Sequence, residues 1–261
     1  MSRSPQAATP LDNRAVSAPQ THKWGTQPEL FGPRHEHRLA MIVREVEKLP
    51  RGARLLDGAV GLGQLAQKMQ QRGYRVIGID YAFDAALAAK RNGIASIVGD
   101  LTRMPFRDAA FDGVTTGETL EHLDDDAAAA REIARVIKEG GRCIATVPAL
   151  RSLWSKSDDY YEHRRRYSRR ELESLFDERF AIEKATFWGF PIVLTYDTLF
   201  LLPMNKRRSR RRVDEDAALQ SIARAGKKRA LVALVRAAFA FDKLFEWLPF
   251  GPGLLLVARK R

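Results

Sequence analysis

Apolar residues first recur at helical spacing between residues 31 and 49, where Leu39, Ile42, Val43, Val46 and Leu49 share a face and Pro50 with Gly52 ends the run. Short apolar runs then alternate with helical stretches. Leu55 and Leu56 predict a buried strand; residues 65–71 continue as a helix stopped by Gly73; residues 75–80 read as a second strand ending in an acid. A helix over 82–92 is closed by Gly93, and strands are predicted at 95–98 and 110–115. Asp124, Asp125 and Asp126 supply acceptors and negative charge to the start of a long helix that runs through Ile133, Val136 and Ile137 to Gly140 and Gly141. A fifth strand over 142–147 ends at Pro148. Strands alternating with helices predict an α/β fold on a doubly wound sheet. A helix over 168–176, an alternating strand over 180–188 and a last strand over 253–259 complete the pattern.

The break after Leu56 is the most informative. Gly61 and Gly63 lack a Cβ, so the backbone there can take strained angles and a ligand can lie against it, while the following helix points its first N–H groups the same way. With Ala66 these glycines satisfy GxGxxG/A spacing, and Asp80 lies at a suitable distance to hold a ribose, as in a dinucleotide cradle. Asp57 at the strand end argues for a different ligand, because a fixed negative charge repels a pyrophosphate and welcomes an ammonium group. Thr116, Gly117 and Glu118 fall at the C-terminal edge of the fourth strand, where open sheets bind ligands.

Composition narrows the class. At 45% hydrophobic and 29% charged over 261 residues, the chain is globular and long enough for one substantial core. One cysteine, Cys143, excludes an internal disulfide and a thiol-rich metal site, and no metal is expected. Residues 1–23 are rich in Ser, Pro, Ala, Gln and Thr and read as a disordered tail. The remainder, 24–261, reads as one domain, with Trp24, Phe31, Arg34 and Arg38 near the entry of its first helix. The first residues lack a basic-then-apolar leader pattern, so a cytoplasmic location is the default.

The segment acidic-x-Gly-x-Gly-x-Gly, matched by Asp57, Gly61 and Gly63 with Ala59 in place of the first glycine, resembles the first motif of the class I S-adenosylmethionine-dependent methyltransferases. The likeness continues in order through Asp100 and Leu101, the Met104-Pro105-Phe106 turn, the strand opening on Phe111-Asp112, Leu120-Glu121-His122-Leu123, and a fifth-strand approach in which Glu139 replaces an expected proline. It implies a Rossmann-like seven-stranded sheet with an antiparallel last strand preceded by a helical insertion, and S-adenosylmethionine as cofactor. Asp80 is then expected on the ribose, Tyr81 and Leu101 against the adenine, Asp100 on its amino group, and Asp57, Ala59, Gly61, Gly63, Thr116 and Gly117 around the rest. The cofactor-binding core spans 53–148. An NAD-dependent oxidoreductase, or a binding protein that keeps the fold without catalysis, stays open as an alternative.

A polar loop over 149–167 follows the fifth strand and is the expected substrate loop. Its Leu153-Trp154, Asp158 and His163 to Tyr167 resemble an LW-x-x-x-D...H-x-R-R-Y segment found in methyltransferases linked to sugar or lipid-linked glycan pathways. His163 is the candidate general base with Asp158 orienting it, and His122 can fill the role from the other side. Trp154, Arg165, Arg166 and Tyr167 are candidate substrate contacts, the arginines for a carboxylate or phosphate. A solvated surface loop is the plain alternative.

The insertion at 189–250 holds an apolar run over 191–204, a basic run over 206–212 and an amphipathic helix over roughly 228–248. Residues 203–230 carry 10 Lys and Arg against 3 Asp and Glu, so +7 of the chain's +12 sits there. The apolar run is too short, and too interrupted by Asp197, to span a bilayer. Leu231, Leu234, Val235, Ala238, Phe239, Phe241, Leu244, Phe245 and Leu248 form a broad face that either covers the sheet or lies on an anionic inner membrane surface. Nucleic acid fits less well, since no aromatics are interleaved with the basic tract. The expected acceptor is a small-molecule, sugar or lipid-linked substrate.

Overall fold

The computed structural model describes residues 33–155, 158–159, 161–201 and 237–261. The expected tail, Trp24, Phe31, the basic run at 206–212 and the first half of the helix at 228–248 lie outside these residues. Helix α1 (Pro33–Val46) precedes β1 (Arg54–Gly58), α2 (Gln64–Gln70), β2 (Arg75–Asp80), α3 (Phe83–Arg91), β3 (Ala95–Val98) and β4 (Phe111–Gly117). Then come α4 (Asp126–Val136), β5 (Ile137–Pro148), α5 (Arg169–Phe176), β6 (Phe180–Trp188), α6 (Ile192–Tyr196) and β7 (Gly253–Lys260).

The strands form one seven-stranded sheet in the order β3-β2-β1-β4-β5-β7-β6. The first five pair in parallel, and β7 runs antiparallel to both β5 and β6. Chain order reverses between β1 and β4, so the crevice for a ligand opens at their carboxyl ends. Both sheet faces are covered, and alternate residues of one strand feed different cores. Leu55 packs with Leu39, Ile42 and Met69 on the side of α1 and α2, while Leu56 packs with Ile133 and Val136 of α4 and with Phe176.

The element pattern expected from sequence is present, with two differences. β5 begins at Ile137, five residues before the expected start at 142, because Ile137 already pairs with Phe111 before the register shifts between Phe111 and Gly113. Gly140, at φ 74°, therefore sits in an irregular stretch of the strand and not in a turn that ends α4. The second difference is in the insertion. Its described part is α6, a π-helical turn over Asp197–Leu201 and a 3-10 turn over Phe241–Phe245. Asp242 fastens these pieces by accepting hydrogen bonds from the N–H groups of Ile192 (2.8 Å) and Val193 (3.0 Å). Of the apolar face expected there, Phe239 is buried against His37 and Tyr196, whereas Phe241 and Leu244 are exposed. The helix tightens at Phe241, and that rotates the later apolar residues away from the core.

Asp57 stands behind the turn that follows β1. Its Oδ1 accepts the Thr115 hydroxyl of β4 at 2.9 Å, and the Ala66 N–H points at the same carboxyl. Burial pushes its pKa up to about 7, the nearby Asp80 charge adds to that, and the Thr115 and Ala66 donors oppose it. A folded-state pKa raised above the unfolded value means that Asp57 contributes most below about pH 4 and that this contribution is lost as pH rises through about 7. Asp57→Asn keeps an acceptor for Thr115 and removes the titration. Thermal melts should therefore show the variant flatter than the parent between about pH 4 and 7, and more stable at pH 8. Parallel profiles would show that Asp57 is not held neutral.

The turn itself makes a second prediction. Ala59 has φ 61°, a left-handed conformation that costs a residue with a Cβ about 1–2 kcal/mol. Ala59→Gly should raise stability by about 0.5–1 kcal/mol after the looser unfolded chain is counted. Gly78→Ala should do the reverse, because a Cβ there meets Val60 Cγ2 at 2.6 Å. Chemical denaturation checks both, and a gain for Gly78→Ala would contradict the close packing of the turn on β2.

Candidate functional site

The turn over residues 59–63 is held from below by β2. Val60 N–H donates to the Ile79 carbonyl (3.0 Å), and Gly61 N–H donates to Asp80 Oδ2 (2.9 Å). The other oxygen of Asp80 accepts Ala82 N–H at 2.9 Å, so one carboxylate ties the glycine turn to the start of α3. The two glycines have different reasons to be there. A Cβ on Gly63 would meet Ile94 Cγ1 at 2.8 Å, so this residue lets α2 pack closely, while nothing lies within 4 Å of a Cβ on Gly61. Gly61 therefore fronts open space at the mouth of the crevice.

That space is a cleft of about 620 Å³. Ala59, Gly61, Asp80, Tyr81, Asp100, Leu101 and Gly117 line it, as the sequence places them. Asp100 is fixed by an Asx turn in which Oδ1 accepts both the N–H (2.7 Å) and the hydroxyl (2.8 Å) of Thr102, leaving Oδ2 for a ligand. Leu101 is buried beneath it, and Tyr81 stands 59% exposed at the rim. Asp57, Gly63 and Thr116 do not line the cleft. The first is buried behind the turn, the second packs on Ile94, and the third is buried within β4.

At the far end the cleft is walled by the loop after β5, and Asp158 organises that loop. Its carboxyl is 1% exposed; Oδ2 accepts the N–H and hydroxyl of Ser155 (2.7 and 3.0 Å), and Arg166 grips both oxygens (2.7 and 3.0 Å). His163 Nδ1 lies 2.9 Å from Oδ1. Burial alone would raise this carboxyl, but the hydrogen bonds from His163 and Arg166 outweigh it and hold the group well below the ordinary carboxylate range.

The same geometry corrects the expected substrate contacts. Arg166 is spent on Asp158 and the Ala149 carbonyl, and Arg165 on Asp126 and the carbonyls of Leu123 and Asp124. Tyr167 is buried and donates to Asp126 at 2.7 Å. Trp154 donates its indole N–H to Asp159 and lies outside the cleft wall. The loop instead offers Tyr161, Glu162, His163 and Arg164.

Facing them is the 3-10 turn Leu120–His122. The rings of His122 and His163 meet edge to face with centroids 4.8 Å apart. Burial, and then the charge of His163, pull the His122 pKa down to about 4. Glu121 is fully buried beside it, and burial followed by the Glu118 charge pushes its carboxyl well above the ordinary range. Glu118, at φ 54°, lies 3.5 Å from Arg38 and 4.0 Å from Arg34, and Arg34 reaches Asp197 at 3.0 Å. Glu118 was expected at the ligand edge of the fourth strand, whereas Glu121, Asp197 and Tyr161 were not among the expected site residues. A signal for Glu121 was present in its position next to His122, but a single acid between leucines gives no hint of burial.

Comparison with known proteins bears on this cleft. Residues 56–145 match a family model described as a methyltransferase domain, a stretch that runs from β1 into β5 and takes in every expected cofactor residue. A demethylmenaquinone methyltransferase from Corynebacterium kroppenstedtii is 35% identical over 102 residues, which are 38% of this chain and 44% of that relative. The chain thus matches less than half the length of this relative. Among solved structures, a chain of the complex between the Haloferax volcanii Trm112 methyltransferase activator and its candidate methyltransferase superposes with a TM-score of 0.62 at 17% identity, covering 91% of this chain and 94% of that one. Phosphoethanolamine N-methyltransferase 2 from Haemonchus contortus, solved with S-adenosyl-L-methionine, gives 0.61 at 16% identity over 92% of this chain and 56% of its own. At these identities the solved structures establish the Rossmann-like α/β fold with its antiparallel last strand.

Proposed function

We propose that this chain is an S-adenosylmethionine-dependent methyltransferase acting on a small-molecule acceptor, a class that includes sugar and lipid-linked compounds. The observation that carries the reading is the coincidence of the matched stretch with the cleft: the glycine turn, Asp80 and Asp100 face one space within residues 56–145. The curated relative acts by its name on demethylmenaquinone, which supports a small-molecule acceptor of quinone type. The family match ends before the loop at 149–167 and the insertion, so the acceptor end of this chain is its own.

When bound, S-adenosylmethionine supplies a methyl group on a positively charged sulfur, open to in-line attack. The chain's residues do the placing. Asp80, held at the mouth of the cleft by the amides of Gly61 and Ala82, would take ribose hydroxyls in charge-assisted hydrogen bonds. Asp100 Oδ2 meets the adenine amino group, and Leu101 and Tyr81 bracket the ring. Gly61 lets the amino-acid portion lie on the backbone. Glu118, His122 and His163 line the rest of the cleft and would stand on the acceptor side of a bound cofactor.

An extract incubated with methyl-tritiated cofactor and the chain should carry label in the small-molecule or lipid fraction. Asp80→Ala should weaken cofactor binding by about 2 kcal/mol, roughly 30-fold, because two hydroxyls lose their charged partner. Calorimetry that shows binding of NAD and none of S-adenosylmethionine would replace this reading with the dehydrogenase one. Label confined to protein or nucleic acid would overturn the acceptor class.

A membrane surface as the place of action has its own observation. Phe241 contacts Phe245, which contacts Phe190, which contacts Phe250, and around this aromatic row Leu244 and Trp247 are 64% and 77% exposed. Among the described residues no helix is long and apolar enough to cross a membrane. An exposed aromatic row beside an insertion with a basic tract suits adsorption to anionic headgroups. Flotation should show salt-sensitive binding to anionic and not to neutral vesicles, lost in Leu244→Ser/Trp247→Ser. Equal recovery with both vesicle types, or none with either, would remove the membrane from the proposal.

A further inference from the structure

Glu121 presents a physical problem that the methyltransferase reading does not resolve. Its side chain is fully buried, and apart from its own amide no described residue donates a hydrogen bond to either carboxylate oxygen. A buried acid without partners costs several kcal/mol if charged, so such a group is normally found neutral or beside a cation. Glu118 is in a related position, with Oε1 buried and lacking a hydrogen-bond partner among the described residues.

The nearby cations Arg38 and Arg166 are engaged at Glu118 and Asp158, and the imidazoles beside Glu121 are cation ligands. One carboxylate oxygen of Glu121 and one ring nitrogen each of His122 and His163 lie within 4.8 Å of one another. Donors about 2.1 Å from a shared ion stand roughly 3–4 Å apart, so side-chain movement of about 1 Å brings the three onto one centre. His163 is already oriented as a ligating histidine. Its Nδ1 is held by Asp158 at 2.9 Å, which turns Nε2 toward the cleft and gives the carboxylate–histidine arrangement that stiffens metal ligands. His122 is hydrogen-bonded to the backbone of Glu162, and its ring packs edge to face on His163 with centroids 4.8 Å apart, which fixes the second imidazole beside the first.

We propose that Glu121, His122 and His163 form a binding site for a divalent first-row transition metal ion at the acceptor end of the cleft, with Glu118 as the adjacent carboxylate. Two imidazoles and a carboxylate select zinc, manganese, iron, cobalt or nickel over calcium and magnesium, which take oxygen ligands. Three protein ligands leave positions on the cleft side that an acceptor hydroxyl or carbonyl oxygen can occupy. With Nε2 on the ion, His163 is a ligand and not a general base; the ion would lower the pKa of a bound acceptor hydroxyl, whose proton would pass to water in the open cleft. This use rests on the methyltransferase reading, whereas occupancy of the site does not.

Untagged full-length chain, stripped with a chelator and dialysed against zinc, should hold one zinc per chain by elemental analysis and melt at a higher temperature than the stripped form. Cobalt in its place should give a visible ligand-field spectrum. His163→Ala and His122→Ala should each weaken uptake by at least about 100-fold, the upper end of what even an outer partner contributes. Glu121→Gln should do the same, with circular dichroism reporting whether it folds; the two histidine variants decide the matter if it does not. Wild-type chain without stoichiometric zinc, or uptake unchanged in the double histidine variant, overturns the site. A chain that binds zinc but not S-adenosylmethionine keeps this proposal and removes the methyltransferase reading; a chain that transfers methyl but takes up no zinc does the opposite.

Discussion

Carboxylates buried at the open edge of a parallel sheet have to be met, and the way each is met determines the shape of this edge. Asp80 is met by amide N–H groups, and the cost of keeping its charge is offset only if Gly61 and Ala82 stand where they do. The glycine turn is thus fixed by an acid on the neighbouring strand as much as by its own sequence. Asp57, one strand away, is met by a hydroxyl and one amide, too few donors for a full charge, and is pushed toward neutrality.

Asp158 is the third case and the strongest. Five donor atoms from Ser155, His163 and Arg166 converge on it, including a two-pronged guanidinium contact. The loop is then sewn to the sheet, with Leu150 N–H on the Tyr167 carbonyl and Arg164 N–H on the Glu121 carbonyl, both within 2.9 Å. Arg165 and Tyr167 fasten it to Asp126 at the start of α4. A loop so heavily bonded has few ways to rearrange, and what it shows the cleft is the short stretch from Tyr161 to Arg164.

The central strands were legible in the sequence because burial on both faces leaves apolar runs, and the edge strand β6 was legible from its alternation. β3 and β6 begin and end where the residue pattern puts them. β5 was misjudged because Ile137 serves two elements at once, as the apolar residue next after α4 and as the first partner of Phe111. The cleft residues on the cofactor side were legible through spacing along strands whose ends must coincide. The acceptor side was not. Arg165 and Arg166 look available in a sequence, since nothing in one dimension says that Asp126 and Asp158 lie opposite them. The reverse holds for Glu121, which reads as a surface acid and is fully buried.

Helix α1 joins the two ends of the cleft through one chain of contacts. His35 bonds to Gln64 at the start of α2 (2.5 Å), Arg38 bonds to His35 (3.1 Å) and faces Glu118 (3.5 Å), and Arg34 spans Glu118 and Asp197. His35 is driven down to about 3 by burial and by Arg38, so it stays neutral and passes no charge of its own along this line. The two arginines therefore set the potential at Glu118, and Asp197 competes for one of them. Asp197 belongs to the insertion, and its carboxyl is raised by burial even with Arg34 beside it. Glu118 at the cleft and Asp197 on the insertion thus share Arg34, which ties the turn after α6 to the cleft wall.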